Sequence, residues 1–80
     1  MNIGEAVKLR IINLCKQNGI SVNKLSTESG ITQSTLSNIV SGRNNSTTIS
    51  TIKKICDGLG ISIQEFFASE LFDNLEQEIR

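Results

Sequence analysis

The chain has no proline, tryptophan, tyrosine or histidine, and only two cysteines among its 80 residues. Each shortage excludes something. Without histidine there is no imidazole to act as general base or to complete a zinc site with Cys15 and Cys56, and a serine without a base is not a nucleophile. An enzyme is not expected, nor is a metal or other cofactor. The two cysteines are far apart in sequence, and each sits on an apolar helical stripe. Small buried hydrophobes kept reduced is the plain reading, and a disulfide or redox switch is the alternative. No apolar run approaches membrane-spanning length, and the start of the chain lacks a basic stretch followed by an apolar one. A soluble, cytoplasmic protein with no membrane partner is expected.

Net charge is missing too, since eight basic residues balance eight acidic ones. The total hides an asymmetry. Residues 1–60 carry Lys8, Arg10, Lys16, Lys24, Arg43, Lys53 and Lys54 against Glu5, Glu28 and Asp57, a net of +4. Residues 61–80 carry Arg80 against Glu65, Glu70, Asp73, Glu76 and Glu78, a net of −4. A basic body with an acidic tail keeps a nucleic-acid partner in view.

What is present is a series of helical stripes punctuated by glycine and short polar residues. Val7, Ile11, Leu14 and Cys15 share one face of a helix that begins near Ile3 and stops at Asn18-Gly19. Ser21 caps a short second helix with Leu25 inward, closed by Gly30. Thr32 caps a third that Gly42 ends, and "RNNSTT" (43–48) is a polar loop. Thr48 caps a fourth with Ile49, Ile52, Ile55, Cys56 and Leu59 on its stripe. Ser62 opens a fifth with Glu65 as its capping-box partner, and with Ile63, Phe66 and Phe67 apolar. Nothing alternates with a strand's period. The expected fold is all-α: five short helices, none able to stand alone, burying one another's stripes.

The third helix is unusual in composition. In "TQSTLSNIVSG" (32–42), Leu36, Ile39 and Val40 span an arc of about 100°, while Gln33, Ser34, Ser37, Asn38 and Ser41 fill about 140° elsewhere. That outer face has no formal charge, although Lys, Glu and Arg would make a better helix and a better solvated surface. Short side chains that both donate and accept hydrogen bonds suit the edges of bases in a DNA major groove. Around this helix, Leu25, Ile31, Leu36 and Ile39 are apolar, Ser26 is small where two helices cross, and Gly30 occupies the turn. This is the pattern of a helix-turn-helix.

"VNKLSTESGITQSTLSNIVSG" (22–42) resembles the helix-turn-helix of the phage-repressor/Cro-type family, the lambda-repressor-like DNA-binding domains. "TISTIKKICDGLGISIQEFF" (48–67) resembles that family's fourth and fifth helices, so the likeness runs over residues 3–69. It implies a compact five-helix lambda-repressor-like domain (1–69) and a transcriptional regulator that binds double-stranded DNA sequence-specifically, a repressor by expectation. Such a protein is nucleoid-associated through its DNA. Carried over position by position, Gln33, Ser34, Ser37 and Asn38 match base-reading positions. Thr32, Arg43 and Asn44 match positions that hold the phosphate backbone. Many relatives begin the second helix with a phosphate-holding Gln, where this chain has Val22, so Asn23 or Lys24 is expected to take over. Ser29 stands where an apolar residue is common, which predicts a local loss of stability. The alternative reading is a protein-interaction module of the same fold, such as an antitoxin binding a partner protein.

Residues 70–80 form an acidic tail in which Leu71, Phe72, Leu75 and Ile79 fall within about 100° of a helix. An amphipathic helical extension is expected. It either folds back on the domain or pairs with a second copy, helped by Phe66 or Phe67, while its acidic face points away from DNA or meets a protein partner. Pairing is the favoured expectation, because one such domain covers a single half-site of a pseudo-palindromic operator.

Overall fold

The computed structural model describes residues 1–79. Its elements in chain order are α1 (Ile3–Asn18), α2 (Val22–Ser29), α3 (Gln33–Val40), α4 (Ile49–Leu59), α5 (Ile63–Phe67) and a single 3-10 turn, Glu70–Phe72. Each α-helix starts on a short polar cap in extended backbone: Asn2, Ser21, Thr32, Thr48 and Ser62 each accept, through the side chain, the N–H three residues on. These bonds satisfy backbone donors that a helix start leaves unpaired.

Gly30 ends α2 at φ 66°, in the left-handed region that glycine enters without a Cβ clash. The N–H of Ile31 then reaches back to the Ser26 carbonyl at 3.1 Å, which closes the helix and tucks Ile31 against the core. This turn sets the path from α2 into α3. The same Gly–Ile ending closes α1, where Ile20 bonds the Cys15 carbonyl, and α4, where Ile61 bonds that of Cys56.

Every helix contributes to one core: Val7, Ile11, Leu14 and Cys15 from α1, Leu25 from α2, Leu36 and Ile39 from α3, Ile52, Ile55 and Cys56 from α4, and Phe66 from α5. Each large side chain removed from water contributes about 1.5–3 kcal/mol. Both cysteines are free and buried, and burial holds their thiols above the ordinary titration range. Arg10 is part of the frame as well. Its Nε donates to the Phe66 carbonyl at 2.6 Å and its Nη2 to the Glu65 carbonyl at 2.8 Å, tying α1 to the end of α5.

Gly58 lies where α4 crosses α2. A Cβ there would come within 3.1 Å of the Glu28 carbonyl carbon and of Ser29 Cα, and closer still to the Ser29 hydroxyl. Ser29 is buried, and its hydroxyl has no hydrogen-bond partner among the described residues. The departure noted at this position thus places an unsatisfied polar atom in a close helix contact, which is destabilising.

Three expectations need correction. Ile49, read as part of the α4 stripe, is 69% exposed. As the first helical residue its side chain points back past the cap, beyond the layer that covers Ile52. Phe66, offered for pairing, is fully buried, so it has no surface to present to a second copy. The tail forms no amphipathic α-helix: after the 3-10 turn, residues 73–79 have no regular structure. Its first part folds back. Phe72 packs edge-on against Phe67 at 4.9 Å between ring centres and lies 6.3 Å from Phe66. The Glu76 N–H donates to the Met1 carbonyl at 3.1 Å, and the Glu76 carboxylate pairs with the Met1 ammonium at 3.3 Å. An isolated helix this short is marginal, and its end would have carried like charges at the negative pole of its dipole; the aromatic contact competes with it successfully. Leu71 and Leu75 are half-buried and Ile79 is exposed, while Arg80, the tail's one cation, lies outside the described residues.

Candidate nucleic-acid interface

The site is built around α3. Leu36 and Ile39 are fully buried and Val40 half-buried, which fixes the helix's rotation. Gln33, Ser34, Ser37 and Asn38 are consequently all exposed on the opposite side. At the start of α3 the Thr32 hydroxyl accepts the Thr35 N–H at 3.2 Å and donates to the Thr35 hydroxyl at 2.8 Å, with the Ser34 hydroxyl 3.5 Å away. The Thr32 hydroxyl is thus engaged in capping.

At the other end, the Asn38 carbonyl accepts the Asn44 N–H at 3.0 Å and the Ser41 hydroxyl at 3.2 Å. The Asn44 side-chain oxygen accepts the Ser46 N–H at 2.9 Å. The loop after α3 is therefore fastened to the helix's last turn, with Arg43 exposed between its anchors. The Asn44 amide nitrogen is not used by these bonds and stays available as a donor.

The cations do not all serve this face. Among the described residues, Lys24 pairs with Glu28 at 3.0 Å, Lys53 pairs with Asp57, and Arg10 is held by the α5 carbonyls. Arg43, Lys8, Lys16 and Lys54 have no carboxylate partner among those residues. Asn23 is exposed at the start of α2, and its carbonyl accepts the Ser26 hydroxyl at 2.7 Å. Lys24 must release Glu28 to reach an anion.

One cation escaped the sequence reading. Lys8, on α1, brings its ammonium within 3.7 Å of the Cβ direction of Gly42, beside Arg43. Nothing local marks it, because the neighbours are 34 positions apart in sequence and only the packing of α1 on α3 joins them.

The chain that carries this face has counterparts among known proteins. Residues 10–70 match the Cro/C1-type HTH DNA-binding domain. The chain belongs to that family. A crystal structure of the prophage Lp1 protein 11 is similar to this Cro/C1-type chain with a TM-score of 0.81 and 34% identity, over 94% of this chain and 100% of that one. No curated protein matches. The helix-turn-helix of this Cro/C1-type domain is α2, the Gly30 turn and α3, and the protein is a DNA-binding transcriptional regulator. No helix among its described residues is long and apolar enough to cross a membrane.

Proposed function

We propose that the protein is a sequence-specific repressor that lays α3 in the major groove of double-stranded DNA. The observation that carries this reading is the exposed, uncharged face of Gln33, Ser34, Ser37 and Asn38, flanked by the unpaired cations Arg43 and Lys8. Gln and Asn reach adenine through two hydrogen bonds, and serine hydroxyls adapt to donor or acceptor edges. Arg43, Lys8, the Asn44 amide and Asn23 hold the phosphate backbone, which supplies affinity and register without sequence information. Lys24 joins them by exchanging Glu28 for a phosphate, and Thr32 acts by presenting the start of α3.

One domain spans one half-site, so two copies bind a pseudo-palindrome with half-sites about 34–36 Å apart, one helical turn. Ile79 and the half-buried Phe67, Leu71, Phe72 and Leu75 offer apolar surface for that pairing. Repression follows where such a site overlaps a promoter.

Selection of bound sequences from a random double-stranded pool tests the reading. A two-fold symmetric motif is expected, and the absence of any enriched motif would overturn it. Arg43→Ala is expected to weaken binding to all sequences alike and to lower the slope of log affinity against log salt by about one phosphate's worth.

A further inference from the structure

Part of the acidic tail lies beside the loop that follows α3. Glu76, Gln77 and Glu78 line one cleft, of about 240 Å³, together with Asn2, Gly4, Asn45 and Ser46. Asn45 and Ser46 directly follow Arg43 and Asn44 in the loop fastened to the end of α3. The backbone bond from Glu76 to the Met1 carbonyl holds the tail at this place, and Gly4 lets α1 approach so closely that a Cβ there would sit 2.7 Å from the Asn45 carbonyl oxygen. The N-terminal turn of α1, the α3–α4 loop and the tail thus meet at one point. The Glu76 and Glu78 side chains are exposed there, Glu76 in its ion pair with the Met1 ammonium and Glu78 with no cation partner among the described residues.

We propose that residues 73–79 are a built-in brake on DNA binding: seated beside the α3–α4 loop, Glu76 and Glu78 oppose the approach of the phosphate backbone to that loop. The inference rests on the DNA-binding reading above. Carboxylates within a Debye length of the phosphates repel them, and the repulsion fades as salt shortens that length. It acts on every DNA sequence alike, because the phosphates carry no sequence information. By linkage, DNA that binds against the tail also loosens it, so the bound state holds the Glu76–Met1 contact less firmly than the free state.

The test uses the full chain with Glu76→Gln and Glu78→Gln together, and Glu70→Gln as the control. Glu70 carries the same charge in the same tail but lines a separate hollow with Met1, Asn13, Ser69, Leu71 and Asn74. Thermal melts establish that each variant is folded. In about 50 mM salt the double variant is expected to bind random-sequence duplex about three- to tenfold more tightly than wild type, with the gain shrinking towards none near 300 mM. Glu70→Gln is expected to leave affinity close to wild type. As a second readout, protection of the Glu76 N–H from hydrogen exchange is expected to fall when duplex is added. Wild type and double variant binding equally at low salt would overturn the brake and leave the DNA-binding reading standing. An equal gain from Glu70→Gln would overturn it too, by showing that net charge and not placement matters. Failure of every variant to bind any duplex would overturn both.

Discussion

Helices α3 and α4 begin with nearly the same four residues, Thr-Gln-Ser-Thr at 32–35 and Thr-Ile-Ser-Thr at 48–51, and they build the same cap. In each, the first threonine accepts the N–H of the last, at 3.2 Å in α3 and 3.1 Å in α4, and donates to its hydroxyl, at 2.8 and 2.9 Å. The serine hydroxyl stands by at 3.5 and 3.3 Å. Beyond the cap they diverge. The outer face of α4 carries Lys53, Lys54 and Asp57, with an ion pair one turn apart. That of α3 carries only serine, threonine, asparagine and glutamine. The two helices share a start and share a core, so neither capping nor burial accounts for the difference. The solvated helix uses charge, and α3 keeps short neutral groups, which suit the base-reading role proposed for it.

In the core the two helices should behave alike, and the largest losses are expected there. Leu36→Ala and Ile55→Ala each remove a fully buried side chain and are expected to cost about 2–5 kcal/mol. For a domain of this size that is a large part of a total of about 4–12 kcal/mol. Thermal melts should fall steeply for both, and DNA binding should be lost with the fold. A Leu36→Ala protein with a wild-type melt would mean that α3 is rotated.

On the outer faces the helices should part. Asn38→Ala is expected to cost about 1–3 kcal/mol on the selected site and to relax the preference at one base pair. Lys53→Ala on α4 should leave the selected sequence unchanged and the melt indistinguishable from wild type, because exposed ion pairs add little. Repeating the pool selection with both proteins checks this, and an identical motif for wild type and Asn38→Ala would remove Asn38 from the base-reading set.

The shared caps sharpen the comparison further. Thr32→Ala and Thr48→Ala each forfeit the same hydrogen bonds and should each lower stability by about 1 kcal/mol in chemical denaturation. Only the Thr32 variant should also lose DNA affinity, since it alone frays the helix proposed to enter the groove.

The smallest expected change is a gain. Ser29→Ala removes the unpaired buried hydroxyl where α2 meets Gly58 of α4, and should raise stability by about 1 kcal/mol. A loss on denaturation would mean that the hydroxyl has a partner such as an ordered water.

Much of this was readable along the chain because it depends on neighbours in sequence. A hydroxyl or amide three residues before the N–H it accepts, and a glycine after the last apolar residue, make a helix boundary whatever the rest of the chain does. The 3.6-residue spacing of Leu36, Ile39 and Val40 likewise sets which side of α3 turns outward once any core exists. The Ser62–Glu65 capping box, the five helices and the exposed face of α3 all belong to this class.

What depended on contacts between distant residues needed the folded chain. The tail's apolar spacing fits a helix, yet the docking of Phe72 on Phe67 decides for a turn. Arg10 and Lys8 are two cations of one helix, yet one meets the carbonyls of α5 and the other reaches the exit of α3. The tail's acidic character is written in its residues, but its place beside the α3–α4 loop is not. Local hydrogen bonds and periodicity act within a turn or two of helix, so they are encoded residue by residue. The placement of Arg10 and Lys8 and the seating of a short tail are settled by which surfaces the finished core brings together.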